Sequence, residues 1–273
     1  MKHFILTRFN LKVEDWKTSK DNQPVLTEEW LKNRLEIFQN YCFPSVVNQR
    51  NQNFHWVVYF DSETPTPYRK VIEIMNNEYP NFKPLYIDGM GSFNSSVKKY
   101  ILENSDSGED VIITSRLDND DAIHQDFVET IQEIASRKGE TVIDLRCGYQ
   151  MNIEGEFHEY RGYYYNSFNP FISLVETPAS IHTVFSREHR NWESFEKIYA
   201  FDEKPLWIEI VHSKNKYNYV RYDLPLIRKI NLSEYGIPGR LKERGVLYVT
   251  FNNLILRLKK LIWKMIRKIL RRK

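Results

Sequence analysis

Apolar residues arrive along the first half of the chain in two alternating rhythms. Phe4-Ile5-Leu6 is an unbroken apolar run, whereas Trp30, Leu31, Arg34, Leu35 and Phe38 recur at helical spacing. Trp56-Val57-Val58-Tyr59-Phe60, entered through His55, is a β-branched and aromatic strand that stops at Asp61. The Pro65-Thr66-Pro67 turn opens a helix with Val71, Ile74 and Met75 on one face. Pro84–Ile87 predicts a short strand, Val97–Leu102 a helix, Asp110–Thr114 a buried strand and Phe127–Ile134 another helix. Strands alternating with helices in this way predict βαβ units around a mainly parallel sheet.

After residue 140 the texture changes. Thr141–Leu145, Tyr149–Ile153 and Ser180–Phe185 are short runs, separated by turn residues and by the aromatic stretch Tyr160–Tyr165. They predict mixed or antiparallel strands that extend the sheet. No internal repeat or low-complexity linker divides residues 1–250, which therefore read as one α/β domain.

Composition supports a folded body, because 41% of the 273 residues are hydrophobic and 14% aromatic, ample for one large core. No apolar stretch approaches the length of a spanning helix. The opening residues carry no long apolar run or small-residue cleavage site of the secretory kind. Cys42 and Cys147 are too few for a metal knuckle and read as reduced, packed thiols in a cytosol-like compartment. The net charge of +3 hides an asymmetry: residues 252–273 carry nine Lys/Arg and no acid, leaving 30 basic against 36 acidic residues in the body.

The segment richest in chemistry is Arg116-Leu117-Asp118-Asn119-Asp120-Asp121-Ala122, directly after the strand at 110–114. Ligands of open parallel sheets bind outside the carboxyl ends of strands. Carboxylates so crowded repel one another unless a cation sits among them, and hard ions such as Mg²⁺ or Mn²⁺ take such oxygen ligands. The structural alternative is an Asp-rich turn that caps the next helix.

This segment, with Phe4 to Asn10, Arg34…Phe38…Cys42-x-Pro44-Ser45, Trp56…Phe60-Asp61 and Trp207…His212…Asn215, resembles the bacterial "putative rhamnosyl transferase" family over about residues 3–220. Ser213 stands where the family pattern has glycine, and the basic tail lies outside the shared region. The resemblance implies a glycosyltransferase of the A-type fold, with a mixed central sheet flanked by helices. It also implies a nucleotide-binding half over about 1–120 and an acceptor half over about 121–250.

On that resemblance Asp118, Asp120, Asp121 and His212 would hold Mn²⁺ or Mg²⁺. Arg8, Asp61, Arg116, Asp118 and Asn215 would face the nucleotide-sugar donor. Asp61 also suits an Asx-turn before Pro65, Arg116 a simple balancing of the aspartates, and His212 a structural role. An inverting displacement needs a carboxylate base, for which Asp202, Glu209 and Glu193 are the candidates, Asp202 foremost. Tyr160, Tyr163, Tyr164, Tyr165, Trp192 and Trp207 suit either sugar stacking or strand packing.

In the tail, Leu254, Leu258, Leu261, Ile262, Met265, Ile266 and Ile269 form one stripe. Arg257, Lys260, Lys264, Arg267, Lys268 and Arg271 lie opposite, with Trp263 at the flank. An amphipathic helix over 251–273 with a basic face suits an anionic membrane surface. A nucleic-acid partner is not expected, because phosphate binding needs no apolar stripe. The expected function is metal-dependent sugar transfer to a glycan or lipid-linked acceptor in envelope polysaccharide synthesis, at the cytoplasmic face of the membrane. The rivals are an Asp-x-Asp phosphohydrolase and a non-catalytic carbohydrate- or membrane-binding module.

Overall fold

A computed structural model describes every residue except 14–17, 19–23, 106–110, 179–180, 216–217, 238–240 and 271–273, and the side chains of Tyr163 and Ile269. The first half follows the alternating pattern: β1 (Lys2–Arg8), α1 (Glu28–Ile37), α2 (Phe43–Val47), β2 (His55–Asp61), α3 (Thr66–Glu78), β3 (Phe82–Ile87), α4 (Phe93–Glu103) and β4 (Ile112–Arg116). There follow β5 (Ala122–Ile123), α5 (Phe127–Lys138), β6 (Thr141–Leu145), β7 (Cys147–Asn152), β8 (Glu159–Tyr165), β9 (Ser173–Glu176), β10 (Ile198–Phe201), β11 (Trp207–Val211), β12 (Leu226–Ile227) and α6 (Val246–Leu270).

Seven strands form the main sheet in the order β10-β6-β9-β4-β1-β2-β3. β1, β2, β3 and β4 are mutually parallel, and β9 enters antiparallel between β4 and β6. The central strands bury both faces, which is why they read as continuous apolar runs. Ile5, Trp56, Val58 and Phe60 pack under α1, α2 and α5, while Phe4, Leu6, Val57 and Tyr59 pack toward Phe93, Val97 and Ile101 of α4.

A second sheet, β12-β8-β7-β11-β5, stands beside the first. Its core holds Met151, Tyr160, Ile208, Ile210 and Tyr235. The two sheets meet at Trp207, which stacks on Phe171 at 4.7 Å and donates Nε1–H to Leu145 O at 2.7 Å. Gly148 makes room for that ring, since a Cβ there would lie 2.1 Å from Trp207 Cδ2.

Part of the second-half expectation needs correction. Ser180 lies outside the described residues, and 181–185 is not a strand. Its backbone donors are taken by side chains instead of a ladder: His182 and Thr183 N–H go to the Glu176 carboxylate, and Val184 N–H to Thr114 Oγ1. β9, β10 and β12 are further strands that the sequence pattern did not single out, each only two to four residues long. Among the described residues, no helix is long and apolar enough to cross a membrane.

Candidate active site

β1 is the point where the sheet reverses, with β2 and β3 built outward on one side and β4 on the other. Sites in open α/β sheets form at such a reversal, beyond the carboxyl ends of the strands. Arg8 ends β1 and Arg116 ends β4. Their guanidinium carbons lie 4.8 and 5.4 Å from the ring centre of Phe185, which comes from the loop after β9. Burial, followed by the neighbouring Arg116 charge, lowers the Arg8 pKa, with Asp118 and Glu188 opposing. Arg116 also grips Asp118 through Nε and Nη2 at 3.1–3.3 Å, the balancing contact expected from the sequence.

The loop after β4 is held from three sides. Asn119, the middle residue of Asp-x-Asp, donates Nδ2–H to Arg8 O at 2.7 Å and Phe9 O at 3.1 Å, tying the loop to the end of β1. Cys42 Sγ donates to Asp118 O at 3.6 Å, and Ser45 Oγ accepts Ile123 N–H at 3.1 Å. The Cys42-x-Pro44-Ser45 segment is thus the floor beneath the acidic loop.

Asp120 is buried at the centre of a polar network. Its Oδ2 accepts from Arg34 Nη1 at 2.5 Å, Asn215 Nδ2 at 2.9 Å and His212 Nε2 at 3.0 Å. Burial alone pushes the Asp120 pKa up, but Arg34 and then His212 outweigh it and hold the group well below the usual carboxylate range. His212 Nδ1 accepts Lys214 N–H at 3.2 Å, so Nε2 carries the proton and donates to Asp120. Burial lowers the His212 pKa and keeps the imidazole neutral near pH 7. Asn215 Oδ1 closes the turn by accepting His212 N–H at 2.7 Å.

Asp121 turns the other way, accepting Ile210 N–H at 2.8 Å from β11. Burial, then the charges of Asp120 and Asp118, pushes its pKa well above the usual range. Its place is in the packing between β5 and β11. Asp61 accepts Glu63 N–H at 3.0 Å and Lys12 N–H at 3.1 Å, so the Asx-turn is the arrangement observed.

Of the three carboxylates considered as base, Glu209 faces this cluster. It lies on β11, accepts Gln150 Nε2–H at 2.6 Å, and has its pKa pushed up to about 7 by burial, with Asp120 and Asp118 adding to the rise and Gln150 and Arg221 opposing it. Asp202 is exposed just beyond β10, and Glu193 is exposed in the 189–194 helical turn. Of the three, Glu209 is the one that the structure brings near Asp118 and Asp120, and Asp202 and Glu193 lie in solvent. Trp192 and Trp207, 2% and 1% exposed, and Tyr160, 1% exposed, pack the interior and present no stacking face to a sugar. Tyr165 is exposed, Tyr164 packs edge-on against Trp207, and the Tyr163 side chain lies outside the described residues.

Among the described residues, no three His, Cys, Asp or Glu side chains form a ready metal cage. Asp118 and Asp120 nonetheless fit a hard divalent ion of the kind that uses one or two carboxylates and completes its shell with substrate phosphate. Asp118 is 31% exposed in its side chain, and the three bonds at Asp120 converge on Oδ2 alone. His212 fits less directly, because its inward nitrogen is the protonated one.

Arg34, Phe185, Gln150 and Arg221 were not picked out as site residues from the sequence. Arg34 left a signal, a cation on the apolar side of α1 between Leu31 and Leu35. The others sit in loops or strands where nothing in their spacing marks them.

A parallel sheet reversing at β1, with an arginine pair and an Asp-x-Asp loop at its carboxyl edge, is the A-type fold that the sequence resemblance implied. The family model described as "Putative rhamnosyl transferase" matches residues 3–222, and the chain belongs to that family. That membership favours a transferase over the phosphohydrolase and non-catalytic alternatives.

No curated protein matches the sequence. Among solved structures, the chain is similar to S. aureus TarS 1–349, at 12% identity over 77% of this chain and 60% of that one, with a TM-score of 0.45. The same TarS fragment in complex with UDP-GlcNAc gives 11% identity, 82% and 63% coverage and a TM-score of 0.44. A putative nucleotide-diphospho-sugar transferase from Desulfovibrio desulfuricans G20 gives 10% identity, 79% and 84% coverage and a TM-score of 0.37. The chain spans about three fifths of the TarS fragment's length.

Proposed function

We propose that the protein transfers a sugar, rhamnose by the family's description, from a nucleotide-sugar donor to a hydroxyl of a glycan or lipid-linked acceptor. The observation that carries this reading is the meeting of Arg8, Arg116 and Asp118 at the ends of β1 and β4, with Asp120 in the same loop. Two guanidinium groups supply the charge and forked donors that a diphosphate requires. Asp118 and Asp120 would hold Mn²⁺ or Mg²⁺, which when bound stabilises the charge that builds on the departing nucleoside diphosphate.

Glu209 takes the proton from the acceptor hydroxyl as that oxygen attacks the anomeric carbon. Its raised pKa makes it a stronger base than an ordinary carboxylate near neutral pH. Arg34, His212 and Asn215 keep Asp120 ionised and fixed in place. The cationic tail supports work at the cytoplasmic face of the membrane, on an acceptor of envelope polysaccharide synthesis.

Calorimetric titration of UDP, dTDP and GDP, each with and without Mn²⁺, tests the reading on the wild type, Asp118→Asn and Asp120→Asn. Metal-dependent binding of one nucleotide, weakened by both substitutions in folded protein, is the expected result. Binding of none of the three by folded wild type sinks the proposal.

A further inference from the structure

We propose that α6 and the cleft at its side are a docking surface for an anionic phospholipid bilayer. The proposal goes beyond sugar transfer and rests on residues outside the region matched by the family.

Among the described residues, the hydrogen bonds that fix α6 to the body lie near its start. Asn253 exchanges two hydrogen bonds with the backbone of Leu226 in β12, at 2.8 and 2.9 Å, and Tyr248 Oη donates to Glu159 at 3.0 Å. From Arg257 to Leu270, every residue whose side chain is described is exposed. The exposed set includes an apolar stripe: Leu254, Leu258, Leu261, Ile262, Met265 and Ile266 are 43–58% accessible. A globular helix buries such a stripe, so this one is shaped for a partner.

Charge says which partner. Residues 246–270 contain six Lys/Arg and no acid. Lys260, Lys264, Arg267 and Lys268, with Tyr222 and Trp263, line a cleft of about 990 Å³ between the helix and the 222–223 loop. Asp223 is the single acid on that wall. A second copy of this helix would bring like charges together. A nucleic acid would satisfy the cations but leave the stripe in water. A bilayer with anionic headgroups meets both, placing phosphate against Lys and Arg and the acyl boundary against Leu, Ile and Trp. Residues 271–273, three more cations, lie outside the described residues.

The cleft also has a defined place relative to the site. Tyr222 follows Arg221, whose N–H donates to Gln150 Oε1 at 2.7 Å, and Gln150 donates to Glu209 at 2.6 Å. A helix lying on the bilayer would bring the Glu209 side of the site to the lipid surface, where a lipid-linked acceptor presents its hydroxyl.

Co-sedimentation of the full chain with phosphatidylcholine vesicles, and with vesicles containing phosphatidylglycerol, tests this. Binding to the anionic vesicles at least about tenfold tighter than to the neutral ones, and weakened by salt, is expected. Lys260→Glu with Lys264→Glu should weaken binding about tenfold or more, and Leu258→Asp with Ile262→Asp should abolish it. All four positions are exposed, so thermal unfolding and nucleotide titration should match wild type; this separates a failure here from a failure of the transferase reading. Three outcomes overturn the proposal: no preference for anionic vesicles, duplex DNA bound equally well by the Leu258→Asp/Ile262→Asp variant, or a lipid-indifferent dimer that the same variant dissociates.

Discussion

Replacing Glu209 with glutamine removes the proposed base and leaves its surroundings in place, because Gln150 Nε2 can still donate to a side-chain oxygen at 2.6 Å. A positioned general base contributes on the order of 10²–10⁴ in rate. The expected result is therefore a fall in kcat of that size, with donor affinity by calorimetry within about twofold of wild type. The pH profile is the sharper readout. Glu209 must be deprotonated to act, and its pKa is pushed up to about 7 in the free protein. Activity should fall about tenfold per pH unit below that value, level off above it, and lose this limb in Glu209→Gln. A divalent ion beside Asp118 and Asp120 would offset the charges that raise the Glu209 pKa, so the limb measured with metal present should have its midpoint below 7.

Stability supplies an independent check. A carboxyl whose pKa is higher folded than unfolded costs stability above the unfolded value, near 4.3, and the cost grows until the folded value is passed. Glu209→Gln should then be about 3–4 kcal/mol more stable than wild type at pH 8 and indistinguishable at pH 4. A variant that keeps wild-type turnover and an unchanged pH limb would refute the assignment of Glu209.

Two further substitutions probe the frame. Arg34→Met strips Asp120 of its buried partner and should cost about 3–5 kcal/mol in urea unfolding, partly restored when Asp120→Asn is added; a loss under about 1 kcal/mol would show that the pair does not hold the loop. Gly148→Ala drives a methyl into Trp207, which Phe171 and Leu145 hold in place, and should lower stability by about 1–3 kcal/mol or more; an unchanged Tm would mean that the indole moves aside without cost.

What was readable in the chain follows from which interactions are local. β1, β2 and β4 bury both faces, so the apolar runs at Phe4–Leu6, Trp56–Phe60 and Val111–Ile113 marked them directly. The Asp-x-Asp loop was equally plain, because crowded carboxylates at a strand end are a short-range signal. What each carboxylate does was not local. Asp120 meets Arg34 across 86 residues and Asn215 across 95, whereas Asp121, its neighbour in sequence, is taken by Ile210 N–H. Glu209 and Asp202 looked alike on the page, one in an alternating strand and one in a polar turn. Only the pairing of β11 between β7 and β5 carries Glu209 to the acidic loop and leaves Asp202 in solvent. The same fold pushes one carboxyl up to about 7 and holds another far below the usual range, although both lie near the same loop. Arg34 on α1 accounts for the difference: it is the cation that reaches Asp120, while Glu209 has the neutral Gln150 as its nearest donor.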